Sequence, residues 1–219
     1  MHMIQTVIAE RGSYTFSDYF KLNIETEDIL AYFGFSFSVE NYVLPHAAVD
    51  QKRVQDLTTR LEESLPFISL TNEAARREFL IAPVLAEVVH CTQAKIRVEM
   101  PLTVNEQLQG VLDYFLQAGM NLLIVEAKKG DLQNGFTQLA IELVALDKVA
   151  LDKMKESSEK LLYGAVSMGN VWQFGVLNRE AKHVTQDYNL FRVPADLEAL
   201  LQVLVAILKG DDTRHSTPS

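Results

Sequence analysis

The stretch GVLDYFLQAGMNLLIVEAKKG, residues 110–130, consists of two apolar runs separated by a short polar turn that contains a glycine. Each run has the composition of a β-strand, yet each carries a carboxylate where an apolar residue is usual: Asp113 in the first run and Glu126 in the second. A lysine, Lys128, follows the glutamate by two residues. The pattern predicts a β-hairpin that holds two acids and a cation within an apolar sheet.

The geometry of a hairpin predicts that the side chains of Asp113, Glu126 and Lys128 lie close together. Side chains alternate between the two faces of a strand, so Glu126 and Lys128 share one face. A turn over residues 118–121 places Asp113 opposite Glu126, and directly opposed like charges destabilise a sheet unless a cation or a proton lies between them. Carboxylate oxygens at that spacing suit Mg²⁺, and an adjacent lysine can orient water or neutralise charge on a phosphate.

The same residues also have an ordinary interpretation, in which Glu126 and Lys128 form an ion pair on an exposed sheet face. Two features favour a functional site. The flanking runs are strongly apolar, which predicts buried central strands where an unpaired charge is costly. In addition, other predicted elements supply matching polar groups.

Composition limits the class of protein. The chain has 219 residues, of which 48% are hydrophobic and 22% charged, so it is long enough for one globular domain with a substantial core. Its single cysteine excludes an internal disulfide, and its five histidines are scattered, which suits a cytoplasmic protein without a zinc cluster. The net charge of -9 argues against coating nucleic acid through bulk charge, but it allows a local metal site.

The predicted order of elements is helices, three strands, a helix, further strands and a last helix, which is typical of an α/β domain with a mixed central sheet flanked by helices. We expect one domain over 1–210, with a helical part at 16–66, a core at 71–167, and a sheet extension and helix at 168–209. The tail 211–219 has a disordered composition. No signal peptide is predicted, and the longest apolar run near the C-terminus, residues 200–208, is too short to span a bilayer.

Polar residues on two predicted helices are further candidates for the site that contains Asp113, Glu126 and Lys128. Glu78 lies within the apolar stripe of a helix over 71–90, with Ala74 and Ala75 before it and Ile81 and Ala82 after it, so we expect it on the buried face. Pro83 predicts a kink or a break in that helix. Glu73 begins the helix, where an acid already complements the helix dipole, and Glu87 is expected to face solvent.

The helix after the hairpin, predicted from about Phe136 to Lys160, carries Gln138 on the same face as Ile141 and Ala145, so Gln138 is expected to point at the sheet. Alternatively, Gln138 is an ordinary glutamine at the boundary of the core. Lys129, which ends the hairpin stretch, is expected to face solvent or a phosphate.

Taken together, these residues resemble the PD-(D/E)xK nuclease superfamily, which implies a restriction-endonuclease-like core. The acid on a helix, Asp113 on a strand, VEAK at 125–128 on the next strand and Gln138 on the following helix come in that order, and the resemblance covers roughly 71–167. The segments NEAARREFLIAPVL (72–85), LDYFL (112–116) and IVEAKK (124–129) further resemble the N-terminal nuclease region of type I restriction subunits.

The resemblance implies roles for individual residues. Asp113 and Glu126 would bind one or two Mg²⁺ ions, for which Mn²⁺ could substitute, with the Ala127 carbonyl as a further ligand. Glu78 would hold a second ion or its water, and Glu73 is the alternative acid. Lys128 would position the attacking water, and Gln138 would steady that lysine or contact a phosphate.

The implied activity is metal-dependent hydrolysis of phosphodiester bonds in nucleic acid, with DNA favoured, in a restriction or repair context. Two alternatives stay open: a non-catalytic member of the same fold that binds nucleic acid or a partner protein, and a different fold with surface ion pairs in the hairpin. A homodimer is compatible with cutting two strands, and no membrane partner is expected. The sequence does not decide between DNA and RNA.

Overall fold

The central feature of the molecule is a seven-stranded mixed β-sheet with helices on both faces, as the sequence predicts. The structure is a computed structural model that describes residue 8 and residues 12–128, 130–153 and 160–210. Lys129 and the tail 211–219, about which the sequence makes predictions, lie outside these described residues.

The strands follow the order β1–β7–β6–β5–β4–β3–β2 across the sheet. The β4–β5 and β1–β7 pairs are parallel, and the other neighbouring pairs are antiparallel. The strands are β1 (Ser36–Glu40), β2 (Lys95–Asn105), β3 (Leu108–Ala118), β4 (Asn121–Ala127), β5 (Leu161–Ser167), β6 (Val171–Asn178) and β7 (His183–Arg192).

Helices and short helical turns connect the strands. The α-helices of the described chain are α1 (Phe16–Tyr19), α2 (Thr26–Tyr32), α3 (Gln51–Ser64), α4 (Glu73–Arg76), α5 (Ala82–Thr92), α6 (Leu132–Lys153) and α7 (Leu197–Lys209). Two 3₁₀ turns cover Phe20–Leu22 and Leu65–Phe67, and a π-helix covers Arg77–Ile81 between α4 and α5. Among the described helices, none combines the length and the apolar character needed to cross a membrane.

Each face of the sheet is covered by its own apolar core, because side chains alternate along every strand. Helices α3, α5 and α7 pack on one face, together with Leu123 and Val125 of β4. Helices α1, α2 and α6 pack on the other face, together with Ile124 of the same strand. The predicted alternation along β4 is therefore confirmed, and Glu126 and Lys128 belong to the face that α6 covers.

The three strands predicted before the long helix and the further strands predicted after it are present, but one strand and the start of one helix differ from the prediction. Strand β1 is absent from the sequence prediction because it is only five residues long, and its alternating serines and apolar residues give a weak signal. Helix α6 begins at Leu132, four residues before the predicted start. Asp131 accepts hydrogen bonds from the backbone N–H groups of Gln133 and Asn134, so the helix is capped before Gly135 and contains it.

The helix over residues 73–92 is broken, as Pro83 predicts, and the break lies just before the proline. The π-helix inserts about one extra residue into a turn, so residues before it are rotated relative to residues after it. Leu80 and Val84 are fully buried, and Glu87 is buried at 6% exposure, although the sequence predicts that Glu87 faces solvent. The prediction for Glu87 is wrong because Arg53 of α3 makes two hydrogen bonds to its carboxylate, of 2.5 and 2.9 Å.

Candidate functional site

The ends of β3 and β4 bring the predicted hairpin residues together. The hairpin register is confirmed: Tyr114 pairs with Val125 and Ala118 with Asn121. The ladder ends at Tyr114, however, and Asp113 turns its carboxylate to accept a hydrogen bond of 2.8 Å from the backbone N–H of Ala127. Asp113 therefore holds the end of β4 through its side chain.

Strand β2 also opens beside Asp113. The ladder between β2 and β3 pairs Val98 with Tyr114 and Met100 with Leu112, but it omits Glu99 and Asp113 between them. Glu99 has a φ of 53°, in the left-handed region that side chains other than glycine rarely adopt. Such strained backbone inside a strand is characteristic of binding and catalytic sites. The distortion frees Asp113 from regular strand pairing on both sides.

Glu126 is buried, with 2% of its side chain exposed, so the interpretation as an ion pair on an exposed sheet face is wrong. Its Oε1 atom lies 2.7 Å from Nζ of Lys128, which projects from the same face of the sheet. Burial and the nearby charge of Asp113 raise the pKa of Glu126 to about 7, and Lys128 opposes this shift. Lys128 thus forms an ion pair with the buried carboxylate.

Gln138 of α6 completes the arrangement around the lysine. It is buried and faces the sheet, as predicted, and its Oε1 atom accepts a hydrogen bond of 2.7 Å from Nζ of Lys128. The ammonium group also lies 5.3 Å from the ring centre of Phe20. Lys128 is therefore held by an anion, an amide oxygen and an aromatic ring, while 18% of its side chain remains exposed.

Close packing at Gly135 sets the position of Lys128 against α6. A Cβ atom at Gly135 would lie 2.5 Å from Cγ2 of Val166 and 2.7 Å from Cγ of Lys128. The absence of a side chain therefore lets the first turn of α6 approach β5 and the stem of the lysine.

Glu142, one turn after Gln138, is a member of the site that the sequence prediction missed. It is fully buried, and its Oε1 atom accepts a hydrogen bond of 2.8 Å from Nε2 of Gln138. Burial and the nearby charge of Glu126 raise the pKa of Glu142 well above its usual value. The signal was available, because Glu142 is a lone acid in the apolar run LAIELVAL.

Arg77 is a second cation that the sequence prediction missed. Its guanidinium NH1 atom lies 3.7 Å from Oδ1 of Asp113 and 3.3 Å from Oε1 of Glu99. It also stacks on Tyr114, with 5.2 Å from Cζ to the ring centre. No spacing in the sequence distinguishes Arg77 from its neighbour Arg76. The π-helix that begins at Arg77 determines which of the two arginines reaches the sheet.

The predicted helix acids do not join this cluster through direct contacts. Glu78 is exposed, so its predicted place on the buried face is wrong; the π-helix that contains it rotates Arg77 toward Asp113 instead. Glu73 is half-buried at the start of α4. Within the described residues, neither side chain forms a hydrogen bond or an ion pair, and their roles as metal ligands stay predictions.

The donor atoms fit a hard divalent cation such as Mg²⁺. Oδ1 of Asp113 lies 3.7 Å from NH1 of Arg77, beyond hydrogen-bond distance, and Oε2 of Glu126 is buried with no hydrogen-bond partner among the described residues. Both are carboxylate oxygens, which Mg²⁺ prefers. Among the described residues, no three His, Cys, Asp or Glu side chains are already grouped as a metal site, so binding would require Asp113 and Glu126 to be joined by backbone oxygens and water.

No protein-family model matches the chain, and no curated protein matches it. The resemblance to nucleases therefore depends on the residues of the site themselves.

Proposed function

We propose that this chain is a metal-dependent nuclease that hydrolyses phosphodiester bonds in nucleic acid, with DNA the favoured substrate, in a restriction or repair context. One observation carries the proposal: Asp113, Glu126 and Lys128 converge at the ends of two adjacent strands, with Gln138 bonded to the lysine. Two carboxylates can hold a metal ion that activates water for phosphodiester hydrolysis, and a neighbouring lysine can stabilise the charge that develops.

In the proposed reaction, Asp113 and Glu126 would hold Mg²⁺, with the Ala127 carbonyl and Glu78 or Glu73 as further ligands. The ion would stabilise negative charge on the phosphoryl group and lower the pKa of water. Lys128 donates a hydrogen bond that orients the water for attack on phosphorus. As the new P–O bond forms, the bond to the leaving sugar oxygen breaks; the attacking water releases a proton to solvent, and the leaving oxygen takes up a proton from solvent.

Arg77 adds a positive charge beside Asp113, where a phosphate would enter. A guanidinium group can neutralise charge that develops on a phosphoryl oxygen. Its contact with Asp113 is longer than a hydrogen bond, and its hydrogen bonds to Glu99 and Tyr114 are long, at 3.3 and 3.4 Å, so the group can turn toward a substrate at little cost.

A second candidate function is a non-catalytic member that binds nucleic acid or a partner protein. It is favoured by the ion pair between Lys128 and Glu126, which already neutralises the buried carboxylate. In that case the cluster stabilises the fold and has no affinity for Mg²⁺.

A cleavage assay separates the two. The protein is incubated with linear, circular, single-stranded and branched DNA and with RNA, each with Mg²⁺ or Mn²⁺, in parallel with the Asp113→Ala variant. Cleavage by the parent protein alone supports the nuclease and identifies its substrate class. Absence of both cleavage and calorimetric Mg²⁺ binding would overturn the proposal and support the binding function.

A further inference from the structure

Helix α6 presents two polar side chains, one turn apart, to the buried side of the site. Gln138 and Glu142 are 5% and 0% exposed, and they lie in an otherwise apolar face of the helix. Hydrogen bonds connect Lys128 to Gln138 at 2.7 Å and Gln138 to Glu142 at 2.8 Å. Lys128, Gln138 and Glu142 therefore form a continuous chain of hydrogen bonds, called the relay below.

Glu126 is the second group that holds the lysine. Its Oε1 atom lies 2.7 Å from Nζ of Lys128, and its charge acts on the carboxyl group of Glu142. The buried Oε2 atoms of Glu126 and Glu142 have no hydrogen-bond partner among the described residues. Glu142 therefore contacts one partner of the lysine, Gln138, and lies within the electrostatic influence of the other, Glu126.

The chemistry of Gln138 explains why an acceptor is needed behind it. A glutamine amide can present either its oxygen or its NH₂ group to a neighbour. Lys128 is only a donor, so it requires the oxygen, and the NH₂ group must then find an acceptor on the opposite side. Oε1 of Glu142 is that acceptor, and it therefore determines which end of the amide faces the lysine.

We propose that Glu142 is a positioning residue that orients Lys128 through Gln138. This role rests on the proposed function for its effect on catalysis, but not for its effect on the lysine. Burial alone gives no reason for a carboxyl group at this position, since a leucine or methionine would fill an apolar helix face without the cost of removing a carboxyl group from water. The relay supplies that reason.

Two substitutions test the relay. Glu142→Gln keeps an oxygen that can accept the hydrogen bond from Gln138, whereas Glu142→Leu removes that acceptor. Supporting residues that orient a reacting group are typically worth about 10- to 100-fold in activity. We therefore expect kcat to fall by about that factor in Glu142→Leu, with KM little changed, and to be largely restored in Glu142→Gln.

A matched control comes from the same helix. Thr137 is buried and its hydroxyl lies 2.7 Å from that of Thr26, so Thr137→Val removes a buried hydrogen bond without touching the relay. Thr137→Val should leave kcat unchanged, even if its thermal stability falls as much as that of Glu142→Leu. Equal losses of kcat in these two variants would reduce Glu142 to a purely structural role and overturn the proposal.

A second measurement works whether or not the protein cuts nucleic acid. The rate at which an amine-reactive acylating reagent modifies Lys128 is measured by mass spectrometry in the folded proteins. Release of the ammonium group in Glu142→Leu should raise that rate several-fold, while Glu142→Gln and Thr137→Val match the parent. An unchanged rate in Glu142→Leu overturns the relay, whereas a raised rate in a protein without cleavage activity overturns only the nuclease function.

Discussion

The Asp113 carboxylate accepts a hydrogen bond of 2.8 Å from the backbone N–H of Ala127, in the place where a main-chain carbonyl would otherwise continue the β3–β4 ladder. The contact leaves Oδ1 of the same carboxylate directed away from the ladder, beside Arg77. A side chain that both anchors the strand bearing Glu126 and keeps one oxygen available is suited to bind a cation without rearranging the sheet.

Asp113→Asn should abolish Mg²⁺ binding while the protein stays folded. The asparagine oxygen can still accept the hydrogen bond from Ala127, but the side chain loses the negative charge that a divalent cation requires. Isothermal titration with MgCl₂ measures the effect, with the exposed Asp56→Asn as a control for loss of one charge. Unchanged Mg²⁺ affinity in Asp113→Asn would remove Asp113 from the metal site.

Lys128→Met should lose cleavage by about 10²–10³-fold, the usual effect of removing one group that stabilises charge in the transition state. Methionine keeps most of the apolar stem but leaves Glu126 buried without its cation. The free energy of unfolding should therefore fall by about 1–3 kcal/mol at pH 8, with a smaller loss at pH 5, where Glu126 is protonated. Urea denaturation and a cleavage assay measure the two effects, and a variant as active as the parent would contradict the role of the lysine.

Arg77→Met should change metal affinity and cleavage in opposite directions. Its positive charge lies 3.7 Å from Oδ1 of Asp113, so its removal lessens repulsion of a cation and should raise the affinity for Mg²⁺. Cleavage should nevertheless slow, because a phosphate loses a neutralising group. Titration calorimetry and initial rates test the two effects together; a parallel fall in both would mean that Arg77 supports the fold of the site.

Stability without metal should decrease as pH rises from about 4.5 to about 7. The pKa of Glu126 is raised by burial to about 7 in the folded state, so the folded protein binds more protons than the unfolded chain within this window. Each additional proton corresponds to a loss of about 1.4 kcal/mol per pH unit. The raised pKa of Glu142 acts in the same direction.

The Glu142→Gln variant provides the check on this pH dependence. It removes one of the two buried carboxyl groups and lessens repulsion at Glu126, so the slope of unfolding free energy against pH should be shallower than in the parent. Urea titrations at pH 5, 6, 7 and 8 in EDTA measure it. Parallel slopes for the two proteins would show that the buried pair does not titrate in this range.

Gly135→Ala should lower both stability and cleavage. The new methyl group would meet Val166 and Lys128 at distances below van der Waals contact, and such overpacking costs about 1–3 kcal/mol. Gly130→Ala is the matched control, because a Cβ atom there meets no atom within 4 Å. Thermal denaturation should show a lower Tm for Gly135→Ala only, and equal Tm values would contradict the close packing.

Period-two alternation and a two-residue turn were enough to predict the hairpin, its register and the shared face of Glu126 and Lys128. A shift of the register by one residue would move every side chain of the strand to the opposite face, so the apolar pattern allows one register. The i, i+4 spacing of helix residues placed Gln138 correctly. The same reasoning failed for Glu78 because a π-helix, which leaves no clear sequence signal, changes the rotation per residue. The position of Arg77 depends on that π-helix, and the position of Glu99 depends on the distortion of β2. Neither feature can be recognised in the sequence.

The pairing of β1 with β7 has a consequence for how the molecule is made. Ser36 lies opposite His183, 147 residues later in the chain, whereas Arg77, Asp113, Lys128 and Glu142 come from one much shorter interval. Contacts between distant parts of a chain form slowly, because the intervening loop must first be closed. During synthesis on a ribosome, the segments of the site can therefore meet before β7, the partner of β1, has been synthesised.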